Sequence, residues 1–341
     1  MNNAEGPRLR VGVIGAGRIG SLRAEVLAHQ VPQAELVAVS DADLPAATRL
    51  ASRLSGLIVR DDYRALIVDP QIDALFVCTP TSTHAEIMVA GAAAGKHLFV
   101  EKPIALDMGQ VDHALAAVER AGILLQIGLN RRFDPTFSRV RQSIVEGTVG
   151  EVHLLHIISR DPAPPPVAYV VTSGGLFADM MIHDFDMARF LVGSEVQSVY
   201  AQGAVRISSE IGAAGDIDTA TVMLTFENGA LGTIENSRQA VYGYDQRVEL
   251  LGSLGGISTG NVYPNQVTIS TASDIHRDLP LNFFMQRYAE SYVIETRAFV
   301  DAVLASRAPS PTGADGRAAL QIAMAARESL LTGLPIALGA V

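Results

Sequence analysis

The 341-residue sequence predicts an α/β protein in which an N-terminal doubly wound parallel sheet is followed by an α+β domain with a mostly antiparallel sheet. Up to about residue 129, short runs of branched apolar residues alternate with helical stretches, which is typical of β-α units. A glycine-rich turn directly follows the first of these runs. From residue 130 onward, strand-like runs follow one another with turn residues between them. We therefore predict two domains, 1–129 and 130–341.

The first run and its turn form the most informative motif. Leu9–Ile14 has the pattern of a buried parallel strand, and a G-x-G-x-x-G turn leads from it into a helix that extends to about His29. The first glycine permits a tight turn, the second lets a pyrophosphate approach the backbone, and the third lets the helix pack on the strand. The helix N-terminus offers N–H groups to phosphates. We assign five residues of this turn to a dinucleotide: Gly15, Gly17, Arg18, Ile19 and Gly20.

Asp41 follows the second predicted strand, Glu35–Ser40, and lies twenty-one residues beyond Gly20. Its carboxylate can accept hydrogen bonds from both hydroxyls of an adenosine ribose. A 2′-phosphate would meet that carboxylate, with Asp43 close by, and no arginine follows directly to neutralise it. The sequence therefore favours NAD over NADP and predicts an NAD-binding Rossmann domain. A glycine-rich turn in a different α/β domain is the alternative.

The remaining elements follow the same two patterns. In the first domain we predict helices at Leu44–Leu54, Arg64–Val68, His84–Ala94 and Gln110–Arg120, and strands at Leu57–Val59, Ala74–Cys78, Leu98–Val100 and Leu124–Ile127. In the second we predict strands at 151–159, 196–207, Asp218–Phe226, Ala230–Asn236 and Arg247–Leu251, and helices at Met180–Leu191, Tyr288–Ala305 and Ala314–Leu331. The proline run at 161–166 predicts a stiff extended loop.

Composition excludes several classes of function. The net charge of −10 argues against nucleic-acid binding and provides no basic face for an anionic membrane. No apolar run approaches the roughly 18 residues of a membrane span, and the first residues lack the pattern of a secretory signal. Cys78 is the only cysteine, so no internal disulfide can form, and we expect a small buried side chain rather than a reactive thiol. We expect a cytoplasmic enzyme.

Ligands of doubly wound sheets bind beyond the carboxyl ends of the strands, so the residues after the strands are the candidates. Thr79, Pro80 and His84 follow one strand, and Glu101-Lys102-Pro103 follows the next. A lysine beside a substrate hydroxyl can stabilise alkoxide character. A solvated surface lysine is the alternative for Lys102. Pro103 makes a cis peptide at 102–103 possible.

Asp179 and His183 form the second candidate pair. A spacing of four places them on one helix face, where a carboxylate can fix the tautomer of an imidazole and stabilise its charged form. Such a pair is a reasonable general base for a hydroxyl proton. A helix cap and an ion-paired surface histidine are the alternatives.

Four further residues could bind hydroxyl or carboxylate groups. Asn130, Arg131 and Arg132 follow the last strand of the first domain, although a domain-junction salt bridge would also explain them. Tyr242 could reach a polyol or belong to an amphipathic strand. No histidine and cysteine cluster has metal-ligand spacing, so we expect no metal.

Taken together, the motifs resemble the Gfo/Idh/MocA oxidoreductase family over nearly the whole chain. They are V-G-V-I-G-A-G-R-I-G at 11–20, E-K-P at 101–103 and D-M-M-I-H-D-F-D at 179–186. Three stretches look most like the inositol 2-dehydrogenases of that family: H-D-F-D-M-A-R-F-L at 183–191, E-N-S-R-Q-A-V-Y-G-Y-D-Q-R at 235–247 and F-F-M-Q-R-Y-A-E-S-Y at 283–292. The sequence R-D-P-A-P-P-P at 160–166 departs from familiar members, which leaves the pocket shape and the polyol open.

The resemblance implies catalytic roles for Lys102, Asp179 and His183. It also implies that a polyol is bound by Asn130, Arg131, Tyr242 and Tyr288. It further implies that the second domain binds substrate and carries an open-faced sheet, whose open face lies in the interface of a homotetramer.

The function that the resemblance implies is NAD-dependent oxidation of myo-inositol to 2-keto-myo-inositol. Another inositol isomer or a pyranose sugar is the neighbouring alternative. A non-catalytic NAD-binding regulator is the alternative from a different class.

Overall fold

The computed structural model describes residues 6–339, and this part of the chain divides into two compact units. The first unit contains the residues up to Phe133 together with Glu290–Arg317, and the second contains the rest. The predicted boundary at 129/130 treats the domains as consecutive segments, whereas a late helical segment folds with the first unit. The reason is apolar packing, because Phe299, Val300 and Val303 belong to the core of the first sheet.

The first unit is built on a six-stranded parallel sheet, as predicted. Its strands are β1 (Leu9–Ile14), β2 (Ala34–Ser40), β3 (Ile58–Arg60), β4 (Ala74–Val77), β5 (His97–Glu101) and β6 (Leu125–Gly128). Their order in the sheet is β3-β2-β1-β4-β5-β6, so the order reverses between β1 and β4. Ligand sites of open α/β sheets lie at such a reversal.

Helices connect these strands. They are α1 (Arg18–Gln30), α2 (Leu44–Ala51), α3 (Arg64–Val68), α4 (His84–Ala93) and α5 (Met108–Ala121). Three aromatic rings pack between the sheet and α11 (Ala289–Leu304): Phe76 stacks on Phe99 with centroids 4.6 Å apart, and Phe299 lies edge-on to both. This cluster packs against β4 and β5, and the end of β5 carries the E-K-P motif.

The second unit contains a seven-stranded sheet that is mostly antiparallel, as predicted. Its strands are β7 (Val152–Arg160), β8 (Val196–Ala204), β9 (Thr219–Phe226), β10 (Leu231–Ser237), β11 (Asp245–Gly252), β12 (Gly255–Ser258) and β15 (Ile336–Ala337), in the order β12-β11-β7-β10-β9-β8-β15. Within this second sheet, β10 and β7 pair in parallel, and the other described strand pairs are antiparallel. The β9–β10 hairpin closes at Asn228-Gly229, where Gly229 has a φ of +87°.

Side chains alternate across this sheet between a covered and an open face. Along β9, Ala220, Val222 and Leu224 are buried, whereas Met223 between them is 55% exposed. The helix α8 (Ile182–Val192) packs against β7 on the covered side. The open-faced sheet implied by the family resemblance is therefore present.

Several elements escaped the sequence prediction. They are α6 (Pro135–Val145), α7 (Val167–Ser173), α9 (Ser209–Ala213), α10 (Phe284–Arg287), the short strands β12 and β15, and a small hairpin of β13 (Thr268–Ser270) and β14 (Ile275–Arg277). The last helix is α12 (Gly313–Thr332). None of the helices within residues 6–339 combines the length and apolar character that a membrane crossing requires.

Candidate active site

The glycine-rich turn has the geometry that its residue types require. Gly15 adopts a φ of +100°, and a Cβ there would lie 2.5 Å from the carbonyl oxygen of Cys78. A Cβ at Gly20 would lie 1.8 Å from the carbonyl oxygen of Gly15, so only glycine lets α1 come this close. A Cβ at Gly17 would meet no heavy atom within 4 Å. The open side of the turn is therefore at Gly17, where a pyrophosphate would approach.

Asp41 lies beside this turn because β1 and β2 are neighbours in the sheet. One carboxylate oxygen accepts a hydrogen bond from the Ala16 N–H at 2.5 Å, and the other accepts one from the Asp43 N–H at 2.8 Å. The first turn of α1 carries no acidic residue, and Arg18 is exposed at its start. The turn, the helix N-terminus and the acid thus fit the phosphates and ribose of NAD.

The E-K-P loop is held from below by a buried ion cluster. Arg23, a fully buried residue of α1, pairs with Glu101 at 2.9 Å and with the equally buried Glu295. Its guanidinium also lies 4.4 Å from the ring centre of Phe99. Glu101, which we predicted to bind the cofactor, directly precedes Lys102 and is therefore held by the helix that follows the glycine turn.

His84 links the two loops at the carboxyl edge of the sheet. Its Nδ1 lies 2.8 Å from the carbonyl oxygen of Pro103, and its Nε2 lies 2.8 Å from that of Thr79. Burial lowers the pKa of His84, while the two carbonyl oxygens oppose that effect. The peptide between Lys102 and Pro103 is cis. The structure thus brings Thr79, His84 and Lys102 to one edge, with the His84 ring buried beneath it.

Asn130 and Arg131 lie in a single 3₁₀ turn, Asn130–Phe133, that follows β6. Both side chains are buried, and the Asn130 amide donates to the Ser291 hydroxyl at 3.2 Å. The neighbouring Arg132 forms an ion pair with Asp315 at 2.9 Å. Both residues of this pair belong to the first unit, so it is not the domain-junction salt bridge considered as the alternative for this segment.

Asp179 and His183 lie on either side of a change in helix type. Gly174 and Gly175, with φ of +91° and +78°, lead into a π-helical segment, Leu176–Met181, which continues as α8. The predicted helix at 180–191 therefore begins earlier and in a different form. Short π-helical segments are rare in proteins, and those that occur are often found at functional sites. The two side chains remain about one helical turn apart, and both are partly buried.

Two residues that the sequence analysis did not single out contact Asp179. The Tyr169 hydroxyl donates to one carboxylate oxygen at 2.8 Å, and the Arg238 guanidinium lies 3.7 Å from the other. Arg238 also lies 3.7 Å from Asp216, which accepts a hydrogen bond from the Leu176 N–H. The sequence signal for Arg238 was the run E-N-S-R at 235–238, which belongs to a stretch that resembles the inositol 2-dehydrogenases.

The two predicted polyol tyrosines lie on opposite faces of the second sheet. Tyr288 is 2% exposed, and its hydroxyl donates to Gln246, whose side chain lies on the covered face. The Tyr242 hydroxyl donates to Asp245 and accepts from Arg160, both on the open face. The structure therefore does not bring Tyr242 to the face that carries α8, and its role toward substrate stays a prediction.

Asp245 is the centre of the network around Tyr242. Burial raises the pKa of Asp245, but hydrogen bonds from Arg247, Tyr242 and Asn261 outweigh burial and lower it to about 2. Among residues 6–339, no three histidine, cysteine, aspartate or glutamate side chains form a group that could hold a metal ion.

The fold and the glycine-turn geometry define an NAD-binding oxidoreductase, and comparison with known proteins gives its family. A family model described as "Oxidoreductase family, NAD-binding Rossmann fold" matches residues 9–129, and one described as "GFO/IDH/MocA C-terminal domain" matches residues 137–258. The chain belongs to the Gfo/Idh/MocA oxidoreductase family. The predicted family, oxidoreductase class and NAD cofactor are confirmed.

Individual relatives match along nearly their whole length. The chain is 45% identical to a myo-inositol 2-dehydrogenase of Thermotoga maritima, covering 94% of this chain and 96% of the relative. It is 35% identical to an NAD(+)-dependent scyllo-inositol 2-dehydrogenase of Bacillus subtilis, covering 96% and all of the relative. The crystal structure of a putative myo-inositol dehydrogenase from Sinorhizobium meliloti superposes with a TM-score of 0.94 at 44% identity, covering 97% and 100%.

Proposed function

We propose that this protein oxidises myo-inositol at its C2 hydroxyl to 2-keto-myo-inositol, with NAD as the oxidant. The observation that carries the proposal is the 45% identity over almost the full chain to a protein named myo-inositol 2-dehydrogenase. The chain retains the residue types needed for such chemistry. They are a lysine at the edge of the first sheet and an acid–imidazole pair with Asp179 just before α8 and His183 in its first turn.

In the proposed reaction the C2 carbon loses a hydride and its hydroxyl loses a proton. NAD, when bound, supplies the hydride acceptor. His183 takes the hydroxyl proton, Asp179 orients and stabilises the resulting imidazolium, and Lys102 donates a hydrogen bond to the same oxygen. The products are the ketone, NADH and one proton, so atoms and electrons balance.

Substrate binding is assigned to residues from the sequence prediction. We propose that Asn130, Arg131 and Tyr288 contribute polar groups toward the polyol. Arginine and amide side chains suit this task because each offers several donors in a fixed geometry. Tyr242 stays a predicted contributor, and its network with Asp245 gives it a structural role as well.

The neighbouring candidate is the same reaction on scyllo-inositol, and the 35% identity to a scyllo-inositol dehydrogenase favours considering it. The isomers differ in the orientation of one hydroxyl, and discrimination depends on the placement of a few hydrogen bonds. A non-catalytic regulator with this fold would bind NAD without turning over any polyol.

The test is NADH formation measured with myo-, scyllo- and chiro-inositol and with glucose at matched concentrations. The proposal predicts the highest kcat/KM for myo-inositol. A higher value for another substrate would replace myo-inositol as the assignment, and NAD binding by calorimetry without any turnover would favour the regulator.

Loss of the proposed base tests the mechanism. His183→Ala is expected to lower kcat by about 10²–10⁴-fold because one general base is removed, while NAD still binds. His113→Ala is the matched control, since His113 is an exposed histidine on α5. Equal rates for the two variants would remove His183 from the mechanism.

We also propose a homotetramer in which the open sheet face is covered by a second copy. On that face Leu154 has Leu231 and Leu251 as its register neighbours, and each of the three is 48% exposed. Light scattering after size-exclusion chromatography is expected to give a tetramer for the native chain and smaller species for Leu154→Glu. A monomeric native chain would contradict this arrangement.

A further inference from the structure

We propose that Tyr169 and Arg238 are positioning residues that hold the Asp179 carboxylate from its two sides, and that they thereby set the proton affinity of His183. The inference rests on the proposed function, in which Asp179 and His183 act as the acid–imidazole pair. Each carboxylate oxygen has a different neighbour: a hydroxyl donor for one and a guanidinium for the other.

Tyr169 reaches Asp179 from the segment that follows the proline run. The run at 161–166 ends at Pro166, which immediately precedes α7, and Tyr169 lies in the first turn of that helix. The loop is anchored at its start, where the Asp161 N–H donates to the Ser237 carbonyl at 2.9 Å. Tyr169 is 49% exposed, so burial does not force its hydroxyl to bond to another protein group. The hydrogen bond of 2.8 Å to Asp179 is the feature that gives this residue a role.

Arg238 acts on Asp179 through charge. Its side chain is 1% exposed, and its nitrogens lie 3.7 Å from Asp179 and 3.7 Å from Asp216, which is ion-pair range but longer than a hydrogen bond. Its Nε has no hydrogen-bond partner among the described residues. A buried guanidinium between two carboxylates has a strong electrostatic effect because little water screens it.

Both residues partly neutralise the negative charge of the Asp179 carboxylate. A carboxylate with less negative charge stabilises a neighbouring imidazolium less, so His183 holds its proton less tightly. A base that binds its proton less tightly stays unprotonated down to a lower pH, so it can accept the substrate proton over a wider pH range. Removing either residue should therefore strengthen proton binding by His183 and narrow that range.

Other ionisable groups surround the segment leading into α8 and must be considered for any titration. On its own and adjoining elements they are Asp184, which accepts from Asn236 of β10, Asp186 of α8, Asp216 beside Leu176, and Arg141 of α6 at the Leu191 carbonyl. Tyr169 donates a hydrogen bond to one Asp179 carboxylate oxygen, and Arg238 lies within ion-pair distance of the other.

The decisive variant is Tyr169→Phe, which deletes one hydroxyl at a half-exposed position. Its matched control is Tyr63→Phe, because the Tyr63 hydroxyl donates to the exposed Glu86 at 2.6 Å and is likewise a tyrosine–carboxylate bond. Tyr169→Phe is expected to lower kcat by about 5- to 10-fold, as loss of a hydrogen bond to a charged group does. In Tyr169→Phe the acidic side of the kcat/KM pH profile should shift to higher pH by roughly half a unit. The profile of Tyr63→Phe should match that of the native enzyme.

Arg238 is tested by two variants of different charge. Arg238→Gln should move the acid limb up by roughly one pH unit or more, because a full charge is lost. Arg238→Lys keeps the charge and should restore most of the native pH profile even if kcat falls. A merely structural role would lower kcat or the melting temperature in both variants without separating their pH profiles.

A second measurement keeps this inference separate from the choice of substrate. The His183 ring is titrated by NMR in the protein without polyol, with its signal assigned from His183→Gln. The midpoint is expected to move to higher pH in Tyr169→Phe and not in Tyr63→Phe. Equal midpoints in the two variants would overturn the inference. Absence of turnover on every polyol would instead overturn the proposed function, and the titration would still decide the role of Tyr169.

Discussion

A pair of substitutions in the glycine-rich turn separates the folding role of that turn from its cofactor role. Gly20→Ala adds a methyl group whose carbon would lie 1.8 Å from the Gly15 carbonyl oxygen and 2.7 Å from its carbonyl carbon. Gly17→Ala adds the same group where no heavy atom lies within 4 Å. Gly17 has a φ of −68°, which alanine adopts without strain.

The expected magnitudes differ because the obstacles differ. At Gly20 the contact is with backbone, so α1 must shift away from β1, and overpacking of this severity costs about 3 kcal/mol. That loss corresponds to a fall in melting temperature of roughly 6–12 °C for a unit of this size. At Gly17 the apo protein should lose less than about 1 kcal/mol, the effect of replacing a glycine N-cap by alanine. NAD binding should weaken about 10- to 100-fold there, since the methyl group occupies the path of the pyrophosphate.

The assay is thermal unfolding of each apo variant together with calorimetric titration of NAD. The reasoning predicts a large drop in melting temperature for Gly20→Ala and a native melting temperature with poor NAD binding for Gly17→Ala. Native NAD affinity in Gly17→Ala would refute the placement of the pyrophosphate at this turn. An unchanged melting temperature in Gly20→Ala would refute the close packing of α1.

Three further substitutions test the charged groups. Asp41→Ser should raise kcat/KM with NADP relative to NAD by about tenfold, since the repelling carboxylate is removed, and an unchanged ratio would place Asp41 away from the ribose. Arg23→Met leaves Glu101 and Glu295 in the interior without their cation and should cost about 3–5 kcal/mol in urea unfolding, whereas a loss below about 1 kcal/mol would contradict a paired cluster. Asp245→Asn should cost about 2 kcal/mol at pH 7, because the folded pKa of about 2 lies below the unfolded value. The Asp245 contribution is present above about pH 4 and is lost as the pH falls toward 2, so the deficit of the variant should shrink over that range.

The first unit was predictable because its signals are local. Buried parallel strands are continuous apolar runs that end at glycine-containing turns, so β1 was predicted at its observed bounds. The short helix α3 (Arg64–Val68) was also predicted at its observed bounds. Helix ends were less accurate: α2 ends at Ala51 instead of Leu54. The association of Glu290–Arg317 with this unit depends on long-range apolar packing, which no local pattern encodes.

In the second unit the missing information was mostly tertiary. The helix α6 carried a readable signal, since Asp134 caps it and Pro135 occupies its first turn. The π-helical segment before α8 has no such signature, because no spacing of apolar residues in the sequence indicates its hydrogen-bond pattern. The face on which Tyr242 lies follows from strand register, which composition alone does not fix.

The residues around Asp179 show the same distinction. Asp179 and His183 were found from their spacing, which is a local property. Tyr169 is ten residues from Asp179 and Arg238 is far along the chain, and both arrive through the placement of α7 and β10. Only the folded structure shows that they contact the same carboxylate.

The proposed mechanism requires that Lys102 and the Asp179–His183 pair act on one substrate oxygen. The most direct measurement is kcat for myo-inositol oxidation in Lys102→Met, in His183→Ala and in the variant carrying both. Groups that act as a unit lose nearly all of their effect with the first substitution, so the double variant should be close to the slower single variant. A double variant whose loss equals the product of the two single losses would show that the lysine and the histidine act independently.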